Sequence, residues 1–138
     1  MPASPQIVAE KLHVPESPRW RDDGLWFVDG PAIRRLDSRG QCAVVAMADC
    51  PLLLGMAILP DGGVLTNDAA GRRVLKLTAE GRVEIDHDLS SLCATMLNEV
   101  HRFPDGSLLV GEFGFDILQG EEPVAQRLVL ISPDGQVR

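Results

Sequence analysis

Short turns closed by glycine recur along the chain in two interleaved series, and this in-phase repetition restricts the fold more than any other feature of the sequence. One series ends at Gly24, Gly62 and Gly106, 38 and 44 residues apart. The other ends at Gly40, Gly81 and Gly135, 41 and 54 residues apart. The turns read RDDG, LPDG and FPDG in the first series and DSRG, TAEG and SPDG in the second. A glycine in such a turn supplies the positive φ that a tight hairpin needs. Between the turns lie short runs of β type, over 25–30, 32–37, 41–47, 63–68, 72–77, 107–113 and 127–132. A period of about 40 to 45 residues carrying roughly four strands is the mark of a propeller blade. A β-sandwich of about seven strands would also suit this length, but a sandwich has no reason to repeat its turns in phase. The expected fold is all-β: about three blades of a six-bladed β-propeller, an incomplete ring.

On this reading residues 1–138 form the N-terminal half of a single propeller domain, a truncated ring. The third repeat reaches GQVR where an outer strand should begin. The segment QIVAEKL (6–12), ahead of the first repeat, is of the kind that completes the last blade of a closed ring. The longer last spacing predicts an exposed inserted loop over 112–126. Open blade edges leave strands unpaired, so self-association through them is one expectation for partners.

The formal net charge of −7 argues against a nucleic-acid partner. No apolar run approaches the ~20 residues of a membrane-spanning helix, and the first residues lack the basic and apolar regions of a secretory leader. Neither nucleic acid nor membrane is therefore expected as a partner. Cys42, Cys50 and Cys93 are dispersed, with neither metal nor disulfide spacing. They are expected as reduced, mostly buried thiols in a cytoplasmic protein. No nucleophile elbow, phosphate loop or zinc-protease helix motif is present. DHD (86–88) carries metal-like residue types but is expected in a solvated connecting stretch, and His101 in a strand as a packed histidine. Trp20 and Trp26, on either side of the first turn, are expected to pack within a blade.

Counting back eight residues from the first series of turns lands on Glu16, Leu54 and Asn98. Equivalent positions in successive blades share height and radius. If the innermost strand begins here, Glu16 and Asn98 face one mouth of the central channel, with Leu54 as an apolar wall between them. A carboxylate and a carboxamide oxygen would then lie within reach of one hard cation. The plainer alternative makes Glu16 an exposed turn residue and Asn98 a turn former.

HVPESPRW (13–20) followed by GLWFVDGPAIRRLD (24–37) resembles the opening blade of the family of senescence marker protein, gluconolactonase and luciferin-regenerating enzyme. GMAILPDGGVL (55–65) is similar to its second blade, and LNEVHRFPDGSLLVGEFGFD (97–116) to its third. The resemblance spans nearly all of the chain and about the first half of the family's domain. It implies that Glu16 is a ligand of one divalent metal, calcium or zinc in the first instance, with magnesium or manganese as alternatives. It implies that Asn98 contacts the metal or the substrate. The remaining ligands, an Asn and an Asp that is also the proposed general base, come from later blades, so no catalytic base is expected within these residues. Two positions depart from the family pattern. Glu99 follows Asn98 where Asp is usual, and Met96 stands where some lactonases carry a substrate-binding Arg. Met96, Asn98 and Glu99 are thus the candidate substrate contacts, and the departures point away from a sugar-acid lactone.

The resemblance implies a metal-dependent hydrolase whose small-molecule substrate is a lactone or ester, with these 138 residues alone expected to be inactive or nearly so. The alternative from a different class is a non-catalytic propeller segment that serves as a binding or interaction surface.

Overall fold

The computed structural model describes residues 3–116 and 119–138. Eleven strands are present among them, in three antiparallel sheets. The first sheet has the order β1 (Pro15–Arg21), β2 (Gly24–Asp29), β3 (Ala32–Leu36), β4 (Cys42–Met47). The second repeats it with β5 (Leu53–Ile58), β6 (Val64–Asp68), β7 (Arg73–Leu77) and β8 (Val83–Asp88). The third joins β9 (Leu97–Arg102), β10 (Leu108–Glu112) and β11 (Leu128–Ile131). Each sheet is an up-and-down meander, so each is one propeller blade. The all-β repeat expected from the turns is the fold observed.

Both series of glycines do in the structure what their spacing demanded. Gly24, Gly62 and Gly106 have φ of 138°, 86° and 94°, and Gly40, Gly81 and Gly135 have φ of 78°, 83° and 80°. The third blade has the beginning of an outer strand: Ile131 bridges Val137, and Leu130 and Arg138 exchange backbone hydrogen bonds of 2.8 and 3.1 Å.

Burial follows position in the blade. Every residue of β6 is buried, whereas β4 and β8 are mainly exposed. Two apolar layers cement neighbouring blades. Trp26, Val28 and Ile33 of blade 1 pack on Leu53, Met56, Val64 and Leu75 of blade 2. Ala57, Leu65 and Val74 of blade 2 pack on Leu97, Val100 and Val110 of blade 3. The inner strand β5 sits between β1 and β2 on one side and β9 on the other.

Two expectations are corrected. Asp86, His87 and Asp88 lie in the outer strand β8, not in a connecting loop; Val83, Ile85 and His87 alternate with acids, but none of them is buried, because an outermost strand has little to bury. Trp20 does not pack within its blade and is 76% exposed, because it lies on the opposite face of its hairpin from Trp26, which is buried. Residues 3–14, including the 6–12 segment, form no strand, and Ile7 and Val8 are exposed. Of the loop expected over 112–126, Gln119–Gln126 is exposed throughout, and Ile117 and Leu118 fall outside the described residues.

Candidate functional site

The three residues found by counting back eight share one backbone device. β1 is irregular between Glu16 and Arg19, β5 between Leu54 and Met56, and β9 where it faces the stretch from Val110 to Glu112. Each inner strand thus carries a β-bulge at the equivalent place, and bulges re-aim side chains at barrel and propeller rims. The residue after the candidate takes a left-handed conformation in two blades, with φ of 53° at Ser17 and 71° at Gly55. Gly55 is required there. A Cβ would come within 2.7 Å of Val100 N, 2.8 Å of Asn98 O and 2.9 Å of Glu99 Cα, so β9 lies directly against this bulge. Buried Thr66 closes it from the other side, its hydroxyl donating to Gly55 O at 2.7 Å.

A second repeated device escaped the sequence reading. The residue before each candidate pairs across the hairpin with an acid: Pro15 with Asp29, Leu53 with Asp68, and Leu97 with Glu112. Asp29 accepts from His13 N at 2.6 Å, Val14 N at 2.8 Å and Arg34 Nε at 2.8 Å. Glu112 accepts from Ala94 N and Thr95 N, both at 3.0 Å, and from the Thr95 hydroxyl. The buried acid therefore clamps the chain as it enters the inner strand bearing Glu16 or Asn98. Asp68 instead holds Gly71 N and Arg73. Burial alone would raise the Asp29 pKa, but the amides of Val14 and His13 and the Arg34 guanidinium outweigh it and hold the carboxyl below its usual range. These acids are readable in the sequence once the repeat is aligned, as VDG, TND and VGE at the end of each second run.

Backbone bonds join the blades at the same level. Leu53 N donates to Gly30 O at 2.8 Å, and Leu97 N donates to Ala69 O at 3.0 Å. Glu99 reinforces the joint. Its Oε1 accepts from Met56 N of blade 2 and Val100 N of its own blade, both at 3.1 Å, and its Oε2 pairs with Arg19 of blade 1 at 3.1 Å. Glu99 therefore ties three blades together.

Glu16 is exposed at the rim, its Oε2 accepting from Ser17 N at 3.2 Å, while Oε1 has no protein hydrogen bond among the described residues. It lines a cavity of about 520 Å³ together with Leu54, Leu52, Pro31, Val14 and Phe113. Glu16 and Leu54 are thus brought together at one mouth. Asn98 is exposed, is not among the described residues lining that cavity, and offers its backbone oxygen to the buried Asn67 Nδ2 at 2.8 Å. Met96 does not line the cavity; it is buried behind it in a cluster with Leu52, Leu54 and Ala69, against which Phe113 packs.

Among the described residues no group of three or more His, Cys, Asp or Glu side chains could hold a metal ion. Of the two candidate donors only the Glu16 carboxylate is at the cavity rim; the Asn98 carboxamide is exposed outside that lining. The hard oxygens of Glu16 suit a divalent cation such as calcium, which takes roughly six to eight such ligands, and would supply only part of that set. Cys50 and Cys93 offer no alternative nucleophile. Burial pushes the pKa of Cys50 and Cys93 up to about 11, helped by the nearby charges of Asp68 and Glu112 respectively, so both stay protonated at neutral pH.

Comparison with known proteins agrees with this architecture. The sequence model for the SMP-30/Gluconolactonase/LRE-like region matches residues 14–138. Among solved structures, a gluconolactonase from Xanthomonas campestris superposes with a TM-score of 0.75 at 16% identity, over 95% of this chain and 48% of that one. A luciferin-regenerating enzyme gives 0.74 at 21% identity, over 95% and 46%. Virginiamycin B lyase from Staphylococcus aureus gives 0.66 at 18% identity, over 90% and 40%. The chain spans about half the length of these structures or less. No curated protein sequence matches it significantly. At these identities the structures establish the fold, and the fold is shared by proteins of different named activities.

Proposed function

The chain belongs to the SMP-30/gluconolactonase/LRE-like family, and from that premise we propose that it supplies the first three blades of a lactone hydrolase that works with one divalent metal ion. The observation that carries the reading is the Glu16 carboxylate at the rim of an apolar cavity, on a bulge repeated at the level of Asn98. A divalent cation at such a rim polarises an ester carbonyl and stabilises the negative charge that develops on its oxygen. Glu16 contributes the fixed charge that anchors the ion. Asn98 is neutral and carries both donor and acceptor, so it orients a ring oxygen or carbonyl without adding charge. Leu52, Leu54 and Phe113 exclude water from the far side of the ester. The proton-accepting group and the remaining metal ligands are proposed to come from blades outside these residues, which makes these residues alone a weak catalyst.

Titration of calcium and of zinc into the purified chain, followed by calorimetry, tests the anchor. Glu16→Gln keeps the shape and removes the charge. We expect the mutant to bind the metal at least about tenfold more weakly, the loss typical of disturbing a metal site, with an unchanged thermal midpoint. Unchanged metal affinity would return Glu16 to an ordinary exposed turn residue. Rapid metal-dependent lactone hydrolysis by the monomeric 138-residue chain would overturn the division of the site between blades.

A further inference from the structure

Aligning the blades on their bulges exposes a second repeated position, apolar in all three, two residues ahead of the candidates. Val14, Leu52 and Met96 occupy this place in blades 1, 2 and 3. Leu52 and Met96 are buried in one cluster with Leu54, against which Phe113 packs, and of the three repeated residues Val14 and Leu52 line the cavity. The cavity's about 520 Å³ falls within the range of small-molecule sites, roughly 300–1,000 Å³. Its only ionisable lining side chains among the described residues are Glu16 and His13, both at the exposed rim. One end of the cavity is therefore polar and the rest is hydrocarbon.

We propose that the substrate is a lactone carrying an alkyl or aryl substituent, seated with the substituent on the wall of Leu52, Leu54 and Phe113 and the ester toward Glu16. This assignment rests on the lactonase reading and names its substrate class. A polyhydroxylated ring fits the wall badly, because each hydroxyl set against it gives up water without gaining a partner. Each methylene buried there strengthens binding by about fourfold. The repeated apolar position supplies the wall from blades 1 and 2 through Val14 and Leu52, and Phe113 adds to it from blade 3.

The test compares γ-decalactone with D-ribono-1,4-lactone, which share the five-membered ring, for binding to the purified 138-residue chain by ligand-observed NMR and calorimetry. The alkyl lactone should bind at least tenfold more tightly. Phe113→Ser and Leu54→Ser should each weaken γ-decalactone by about tenfold and leave the sugar lactone unchanged. Phe113 is only partly buried, so its variant keeps the test valid should Leu54→Ser fail to fold. Equal or tighter binding of the sugar lactone, or γ-decalactone binding indifferent to Phe113→Ser in a folded protein, overturns the assignment. Preferential γ-decalactone binding without hydrolysis in any metal-loaded, ring-completed form would instead sink the lactonase reading and leave the apolar site standing.

Discussion

Blade 2 and its neighbours meet the channel mouth with the same backbone and different chemistry. All three inner strands bulge at the same level, and all three are paired there with an acid at the end of the second strand. Yet the bulge presents Glu16 in blade 1, Leu54 in blade 2 and Asn98 in blade 3. The shared features are structural, since they hold the strand entries and join one blade to the next. The proposed function rests on the departures from the repeat. A repeat protein can vary one rim position per blade at little structural cost, because the neighbouring strands already satisfy the backbone.

The sharpest way to break the comparison is at the bulge itself. Ser17 and Gly55 occupy the same left-handed place, but only Gly55 has β9 lying on it. Gly55→Ala should destabilise the chain by roughly 3–5 kcal/mol, since either the alanine or the Asn98–Val100 backbone must move. Gly40→Ala, with φ of 78° and nothing within 4 Å, is the control and should cost about 1 kcal/mol. Urea unfolding of both variants checks this; equal losses would mean that φ, not the approach of β9, sets the requirement.

The acid clamp comes next. Asp29→Asn removes the charge that faces two amides and Arg34, and should destabilise by roughly 2–3 kcal/mol at neutral pH. The folded-state pKa of Asp29 is depressed. Its stabilising contribution is therefore complete above the unfolded value of about 4 and is lost as pH falls through the lower folded value. Stability measured against pH should decline on that acid limb in the wild type and be flatter in Asp29→Asn. Identical acid limbs would show that the clamp works through shape alone.

The smallest effect is expected where three blades meet. The Arg19–Glu99 pair is about half exposed, so Glu99→Gln should cost less than about 1 kcal/mol, with the difference shrinking as salt is added. A glutamine oxygen still accepts from Met56 N. An absence of loss at every salt concentration would make the backbone contact, which glutamine keeps, rather than the ion pair, the tie between blades.

How much of this was legible beforehand varies by feature. The blade count, the turns and the innermost strands follow from glycine spacing, because a hairpin's φ > 0 requirement is local and repeats with the blade. Glu16, Leu54 and Asn98 were found by the same arithmetic, and the repeat also contained Asp29, Asp68 and Glu112 in plain view. Strand β8 was missed although Val83, Ile85 and His87 alternate with acids, because Asp and His carry little strand propensity and an outermost strand has little to bury. Trp20 was misplaced because sequence does not say which face of a hairpin is covered.

Local conformational demands, then, were set by sequence alone: where the chain turns, how often, and which residues recur at the rim. Tertiary structure decided what those residues touch. It put Glu99 against three blades, set β9 on Gly55, buried Met96 in an apolar cluster, and joined Glu16 and Leu54, but not Asn98, to one cavity. Such contacts depend on the packing of blades against each other, which joins residues some 40 or more apart in sequence, and no period in a one-dimensional pattern encodes which side chain then fills the space.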